Sequence, residues 1–313
     1  MNSKDYLSVS DLSAEGIRLL ISHARNMKSE GWNTRLSEKV LILMFEMPST
    51  RTRVSFDVAM CQLGGHCLYL SPEEVGMGKR ESIPDVAHVL SRYANAIAVR
   101  TFSHRTLEIL AENAEVPVIN ALSDVEHPCQ ALADILTIYE HKETLKGLTL
   151  AYIGDGNNTA HSLMLAATLC GLNFHIASPS GYSVKDNILQ MAQTYADAND
   201  SEIFCTEDPN QAVIDADVVY TDVWVSMGRE VESEERRRIF APYQVNEALL
   251  ALAKKDAIFM HDLPAHHGEE VAENILYCSQ SVVFDQAENR MHAQKALLAE
   301  ILGGLEMPLP DYH

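Results

Sequence analysis

The chain has 313 residues, of which 47% are hydrophobic, and carries a formal net charge of −20. That length predicts about two domains, with ample apolar material for large cores. So acidic a chain excludes nucleic acid and anionic membrane surfaces as natural partners.

Six cysteines, at 61, 67, 129, 170, 205 and 278, show neither metal nor disulfide spacing and read as reduced thiols. No apolar run approaches the roughly 18 residues of a membrane span. The opening Met1-Asn2-Ser3-Lys4-Asp5-Tyr6 has no apolar or arginine-rich leader pattern, so a cytoplasmic protein is expected.

Helical periodicity runs from about Ser13 to Met27, with Asp11 or Ser13 placed to cap it. Apolar strand patterns follow at Val40–Phe45, His66–Leu70, Ala96–Arg100 and Pro117–Asn120. Helical patterns over 53–63, 84–94, 104–114 and 128–141 alternate with them. A second series starts at Lys146-Gly147-Leu148, with strands expected at Leu148–Ile153, Asn173–Ala177, Glu202–Cys205, Val218–Thr221 and Ala257–Met260. Short buried strands alternating with helices predict an α/β fold: two doubly wound parallel-sheet domains linked by interdomain helices. The boundary is expected near 135–146, giving domains over 1–140 and 141–287. A C-terminal helix over about 288–305 is expected to pack back on the first domain.

The stretch Pro48-Ser49-Thr50-Arg51-Thr52-Arg53 joins the apolar run 40–45 to a helical pattern. Ser49 and Thr50 suit an N-cap, and the unpaired N–H groups of a helix start, with its dipole, favour phosphate. Arg51 adds a planar fork for phosphate oxygens; the plainer reading is a capped helix with surface arginines. Glu81-Ser82-Ile83-Pro84 follows the loop Gly76-Met77-Gly78-Lys79-Arg80, which reads first as a solvated turn. Arg100 closes a buried strand, at the edge where open α/β sheets bind ligands, although a surface arginine fits there too. His127-Pro128-Cys129-Gln130 opens a helix and sets His127 and Gln130 one turn apart, a donor and acceptor pair suited to a carbonyl and its amide. A helix-capping histidine is the blander alternative.

Taken together, Ser-Thr-Arg-Thr, a strand-end arginine and His-Pro-x-Gln resemble the carbamoyl phosphate site of the aspartate/ornithine carbamoyltransferase family. The resemblance spans essentially the whole chain, with the motifs in the family's order. It implies that Ser49, Thr50, Arg51 and Thr52 hold the phosphate and that Arg100 bridges phosphate and carbonyl oxygen. His127 then donates to that oxygen and Gln130 contacts the carbamoyl NH2. Leu263 and Arg290, in Phe284-Asp285-Gln286-Ala287-Glu288-Asn289-Arg290, resemble further ligands of carbamoyl phosphate.

The second half is expected to choose the acceptor. Gly154-Asp155-Gly156-Asn157-Asn158-Thr159 has Thr159 where a dinucleotide loop needs its third glycine, so a Rossmann cofactor site is disfavoured. Asp222-Val223-Trp224-Val225-Ser226-Met227-Gly228 looks like the family's ornithine signature. By that resemblance Asp222 and Ser226 take the α-ammonium, and Asn158 and the Met227 backbone take the carboxylate. The charged run from Glu230 to Arg238 reads as a mobile, solvated lid.

His261-Asp262-Leu263-Pro264 departs from the family, where His-Cys-Leu-Pro is usual and the cysteine is assigned to the reaction centre. Asp262 can hold the ornithine δ-ammonium or take its proton, can stay protonated through burial, or can mark a changed or lost activity. His267 stands where the family more often has arginine. Gly76 stands where it often has a glutamine or histidine that reaches a neighbouring subunit's phosphate. A histidine-rich metal site at His261, His266 and His267 is disfavoured by the spacing.

The resulting expectation is carbamoyl phosphate + L-ornithine → L-citrulline + phosphate, in arginine biosynthesis, with Arg100, His127, Asp262 and Arg290 at the reaction centre. Neither metal nor organic cofactor is called for, and the resemblance implies a homotrimer or a multiple of it. The alternatives are another amine such as putrescine, operation in the citrulline-degrading direction, or a non-catalytic paralogue, which Asp262 alone favours.

Overall fold

The computed structural model describes residues 4–76, 80–225 and 230–303. Its contacts divide the chain into one unit of Met1–Asp124 with Arg290–His313, and a second of Val125–Asn289.

The first unit carries α1 (Ala14–Glu30), β1 (Val40–Phe45), α2 (Thr50–Gln62), β2 (His66–Leu70), α3 (Pro72–Val75), α4 (Ile83–Ser91), β3 (Ala96–Arg100), α5 (His104–Asn113) and β4 (Val118–Leu122). The four strands are all parallel, in the order β2-β1-β3-β4. The central strands β1 and β3 are buried almost throughout, as their unbroken apolar runs require, whereas β2 at the edge stays partly exposed. Ile42, Met44, Ile97 and Val99 pack against Leu107 and Leu110 of α5. α1 is capped by Ser13, whose hydroxyl accepts the Gly16 N–H, and it buries Ile17, Leu20, Ile21, Ala24 and Met27, a helical stripe.

The second unit carries α6 (Pro128–Lys142), β5 (Thr149–Ile153), α7 (Asn158–Leu169), β6 (Asn173–Ala177), α8 (Asp186–Ala198), β7 (Ile203–Thr206), α9 (Pro209–Val213), β8 (Val218–Thr221), α10 (Ser233–Phe240), α11 (Glu247–Leu250), β9 (Ile258–His261) and the start of α12 (Val283–Ile301). Its five strands are parallel in the order β7-β6-β5-β8-β9. α6 and α7 are buried on every side along most of their length and pack on each other. That packing groups α6 with the second sheet, where the sequence reading carried the first domain through residue 140. The nine strands lie within two residues of their predicted bounds. The helices α9, α10 and α11 lie between strands where the alternation predicts helices, the four-residue α3 was not anticipated, and α12 starts five residues ahead of the expected Glu288. No helix among the described residues is long and apolar enough to cross a membrane.

From Arg290 onward α12 belongs to the first unit, where the buried Lys295 ties three segments together. Its Nζ donates to Met27 O at 3.0 Å, Gly31 O at 2.6 Å and Gln62 Oε1 at 3.1 Å. Two of these acceptors are carbonyls at the carboxyl end of α1, which the helix itself cannot satisfy. Lys295→Met keeps the length and the apolar stem but leaves those acceptors without a donor. It is expected to lower stability by about 1–3 kcal/mol, read as an earlier urea midpoint. An unchanged midpoint would show that the ammonium is not what holds α1 to α12.

Candidate active site

In the first unit the order β2-β1-β3-β4 reverses direction between β1 and β3, the place where an open parallel sheet leaves a crevice at its carboxyl edge. Phe45 is paired with Arg100, so the Ser49 loop and Arg100 leave the sheet side by side. Ser49 caps α2: its Oγ accepts the Thr52 N–H at 3.3 Å and donates to Thr52 Oγ1 at 3.0 Å. The buried Thr52 hydroxyl also accepts from Arg290 Nη2 at 2.7 Å, which ties the final helix to this turn. The first intrahelical bond runs from Arg53 N to Ser49 O, so the Thr50 and Arg51 N–H groups precede the ladder. Thr50 and Arg51 are exposed and Arg100 is buried. Arg53 turns elsewhere, its guanidinium stacked 4.0 Å from the Tyr69 ring. Hydroxyls, free amides and arginines at one helix start form a cradle for a dianion.

The second sheet reverses between β5 and β8. Asn157 after β5 and Asp222 after β8 meet there, with Asn157 Nδ2 donating to Asp222 Oδ2 at 2.7 Å. Asn157 is also the N-cap of α7, its Oδ1 accepting the N–H groups of Thr159 and Ala160, both at 3.0 Å. The Val223 N–H donates to Asp222 Oδ1 at 2.7 Å, so both oxygens of this buried carboxyl are held. From the end of the neighbouring β9, His261 and Asp262 bring their donor atoms within 4.8 Å of those of Asp222. His261 Nδ1 accepts the Leu263 N–H at 2.9 Å, and Nε2 faces Glu270 Oε1 at 3.2 Å. Both ring nitrogens are engaged: burial opposes a charge on the ring, but the Asp262 and Glu270 carboxylates outweigh it and push the imidazole up to about 9. Burial, then the charge of Asp262, pushes the Asp222 carboxyl well above the usual carboxylate range. Two carboxyls this close, Asp222 buried and Asp262 largely so, share one proton and titrate as a pair. An entering ammonium is what would draw that proton off.

His127 and Gln130 are buried at the start of α6. The His127 N–H donates to Ser162 Oγ at 2.9 Å, and its ring makes no capping bond to the helix. Gln130 Nε2 donates to Asp134 Oδ1 at 2.8 Å.

The two halves of the chain match two family models: the aspartate/ornithine carbamoyltransferase carbamoyl-P binding domain over residues 4–140, and the Asp/Orn binding domain over residues 146–301. The chain belongs to the aspartate/ornithine carbamoyltransferase family. It is 53% identical to the ornithine carbamoyltransferase of Anoxybacillus flavithermus, over 96% of this chain and 98% of that one. The solved ornithine carbamoyltransferase of Pyrococcus furiosus superposes with a TM-score of 0.93 at 50% identity, covering 96% of this chain and 98% of that one. The anabolic enzyme of Campylobacter jejuni gives a TM-score of 0.92 at 37% identity, over 96% and 99%.

Within this carbamoyltransferase chain, Ser49, Thr50, Arg51, Thr52, Arg100 and Arg290 fall in the first unit, and His127, Gln130, Asn158, Asp222, Asp262 and Leu263 in the second. Ser226 and Met227 lie outside the described residues, as do residues 77–79 of the loop after Gly76. Leu263 adopts a left-handed φ of 57°, a conformation few side-chain-bearing residues take. Asn158 is the first residue of α7, while its neighbour Asn157, which the sequence reading passed over, is the one that holds Asp222. An asparagine between glycine and a helical run is an N-cap signal that would have found it. His261 and His266 face the two oxygens of the buried Glu270 carboxyl. His267 stacks on Tyr277, and His266 groups with Glu269 and Glu270, of which Glu269 is paired with Arg237 at 2.9 Å.

The reading of 230–238 as a solvated lid needs correction. Arg236 of α10 is 0% exposed, ion-paired with Asp155, bonded to Trp224 O, and covered by the Tyr182 and Phe240 rings. One arginine in a charged run is thus a core residue, because its partner Asp155 lies in the β5 loop. The same loop explains its second glycine. A Cβ on Gly156 would lie 2.3 Å from Val184 N and 2.4 Å from Ser183 C, both backbone atoms. Gly156→Ala is therefore expected to cost about 1–3 kcal/mol in a urea melt. A stability equal to that of the parent chain would mean that residues 183–184 yield freely.

Proposed function

We propose that the protein transfers the carbamoyl group of carbamoyl phosphate to the δ-amine of L-ornithine, giving L-citrulline and phosphate. Near-complete coverage at about half identity supports this, since the relatives carry that enzyme's name, and one at 50% identity is named anabolic. The observation that carries the acceptor assignment is Asp222, a buried carboxyl held on both oxygens at the β5/β8 switch point. An α-ammonium is the natural partner of such a group, and with Asn158, Ser226 and the Met227 backbone it completes the recognition of an amino acid zwitterion. We assign the phosphate to Ser49, Thr50, Arg51, Thr52, Arg100 and Arg290, and the carbamoyl group to Arg100, His127, Gln130 and Leu263. The protein works in this reading as a cytoplasmic homotrimer or a multiple of it.

The δ-amine must lose a proton before it attacks, its reference value being about 10.4. Desolvation lowers that value, and Asp262 supplies a nearby acceptor. The amine nitrogen then adds to the carbamoyl carbon. In this reading Arg100 and His127 donate to the oxyanion that forms, each such donor being worth roughly 2.7–4 kcal/mol. The C–O bond to phosphate breaks, and Arg51 and Arg290 neutralise the departing anion. The second carboxyl at Asp262 also favours one competing reading, a diamine acceptor such as putrescine.

A steady-state assay with a panel of amines tests the proposal, with ornithine expected to be preferred over putrescine. Arg51→Ala and Arg100→Ala should each lower turnover by about 100-fold or more with the fold intact. Unchanged kcat/KM for carbamoyl phosphate in either would remove the phosphate assignment.

Asp262 is expected to set the pH profile. Its charge helps raise Asp222, so kcat/KM for ornithine should fall as pH drops through the upper titration of the pair. Asp262→Cys puts a neutral thiol there below about pH 8.5, which lets Asp222 ionise at lower pH. Activity should persist, with the acid limb displaced downward. A limb that stays in place means the pair is not what titrates.

A further inference from the structure

None of the roles above involves Asp134, yet its carboxyl lies fully buried one turn beyond Gln130 on the same face of α6. Gln130 Nε2 donates to Asp134 Oδ1 at 2.8 Å, and Gln286 Nε2 donates to the same oxygen at 2.8 Å. The Tyr220 hydroxyl donates to Oδ2 at 3.3 Å and accepts from Gln286 Nε2 at 3.1 Å. Gln286 Oε1 in turn accepts the N–H of His261 at 2.8 Å, next to Asp262. At the other end of the network, Gln130 Oε1 is buried and meets no hydrogen-bond donor among the described residues.

A glutamine amide has two ends of nearly equal size, and its partner decides which faces where. A carboxyl oxygen that only accepts admits the NH2 end alone. Burial pushes the Asp134 carboxyl up to about 7. A proton carried on Oδ2, the oxygen facing Tyr220, still leaves Oδ1 an acceptor, so the orientation holds in either state. The orphaned Gln130 oxygen is then a buried acceptor without a donor, an arrangement a fold tolerates where a ligand supplies the missing N–H.

We propose that Asp134 is a positioning residue: by accepting from both amides it turns Gln130 Oε1 to receive the NH2 of a carbamoyl group, and Gln286 Oε1 to hold the backbone at His261. The proposal rests on the carbamoyl-transfer reading and deepens it, since it says how the site tells a carbamoyl group from an acetyl group. The two are alike in shape, but a methyl cannot donate to Gln130. The preference should therefore sit in the Gln130–Asp134 contact, while the phosphate end is held by other residues.

Three numbers test it on the intact protein: KM for carbamoyl phosphate, and inhibition constants for acetyl phosphate and for inorganic phosphate. Asp134→Leu removes the acceptor, so KM for carbamoyl phosphate should rise about 10- to 100-fold. Inhibition by acetyl phosphate and phosphate should stay as it was, so that the preference for carbamoyl over acetyl collapses. Asp134→Asn can still offer one oxygen to both amides and should keep most of the preference. An Asp134→Leu protein with the parental preference, or an Asp134→Asn protein that loses it as fully, overturns the proposal.

Should Asp134→Leu fail to fold, Gln130→Glu sets two carboxyls face to face and should lose carbamoyl phosphate affinity. Adding Asp134→Asn to it replaces one carboxyl by an amide donor and should regain at least about tenfold; no regain counts against the pairing. Absence of citrulline from the unaltered protein would remove the carbamoyl-transfer reading itself. Citrulline formation with an unmoved preference in the variants removes the Asp134 inference alone.

Discussion

A parallel strand cannot turn back on its neighbour; it must leave the sheet at one edge and return through a helix. Among the described residues nine strands in two sheets obey that rule, and each sheet has one place where the order reverses. At those two places consecutive loops diverge instead of covering one another, and backbone and side chains stand open to a ligand. The first reversal is flanked by Ser49 and Arg100, the second by Asn157 and Asp222. The chemistry is sorted by the same constraint, with hydroxyls, amides and arginines at one sheet and carboxyls at the other. An anionic donor and a cationic acceptor are thereby assigned to different elements of the fold.

The strands were legible because buried parallel strands are short, apolar and bounded by turn residues, so β1 was found at the residues the pattern marked. The four-residue helix α3 was not, and α11 was expected only as helix somewhere between two strands, since a single turn carries no periodicity to detect. Motif residues at helix starts, such as Ser49 and His127, were visible through their caps and prolines. What escaped was long-range pairing. Arg236 reads as one more charge in Glu234-Glu235-Arg236-Arg237-Arg238, and only the arrival of Asp155 from 81 residues away makes it a core group. Asp134 likewise reads as the polar position of an apolar helix, until Gln286, 152 residues on, closes around it.

Buried acids give the second unit its character. Asp134 and Asp222 both titrate higher folded than unfolded, so the folded chain keeps protons that the unfolded chain would release. Their contribution to stability is present at low pH and is lost as pH rises, for Asp134 through about 7. These groups thus work against the fold from the neutral range upward. Residues retained under that condition are where function, rather than packing, is the better explanation.

The Arg236 anchor has an evolutionary corollary. Trp224 is buried at one end of a stretch and Arg236 at the other, and the guanidinium bonds the Trp224 carbonyl across 12 positions of sequence. With both posts fixed, the exit of β8 and the first turn of α10 share one footing, which within the charged run rests on Arg236. Glu234, Glu235 and Arg238 face solvent and can change at small thermodynamic risk, so a lineage can vary the surface charge of α10 while inheriting its hold on the β5 loop unchanged.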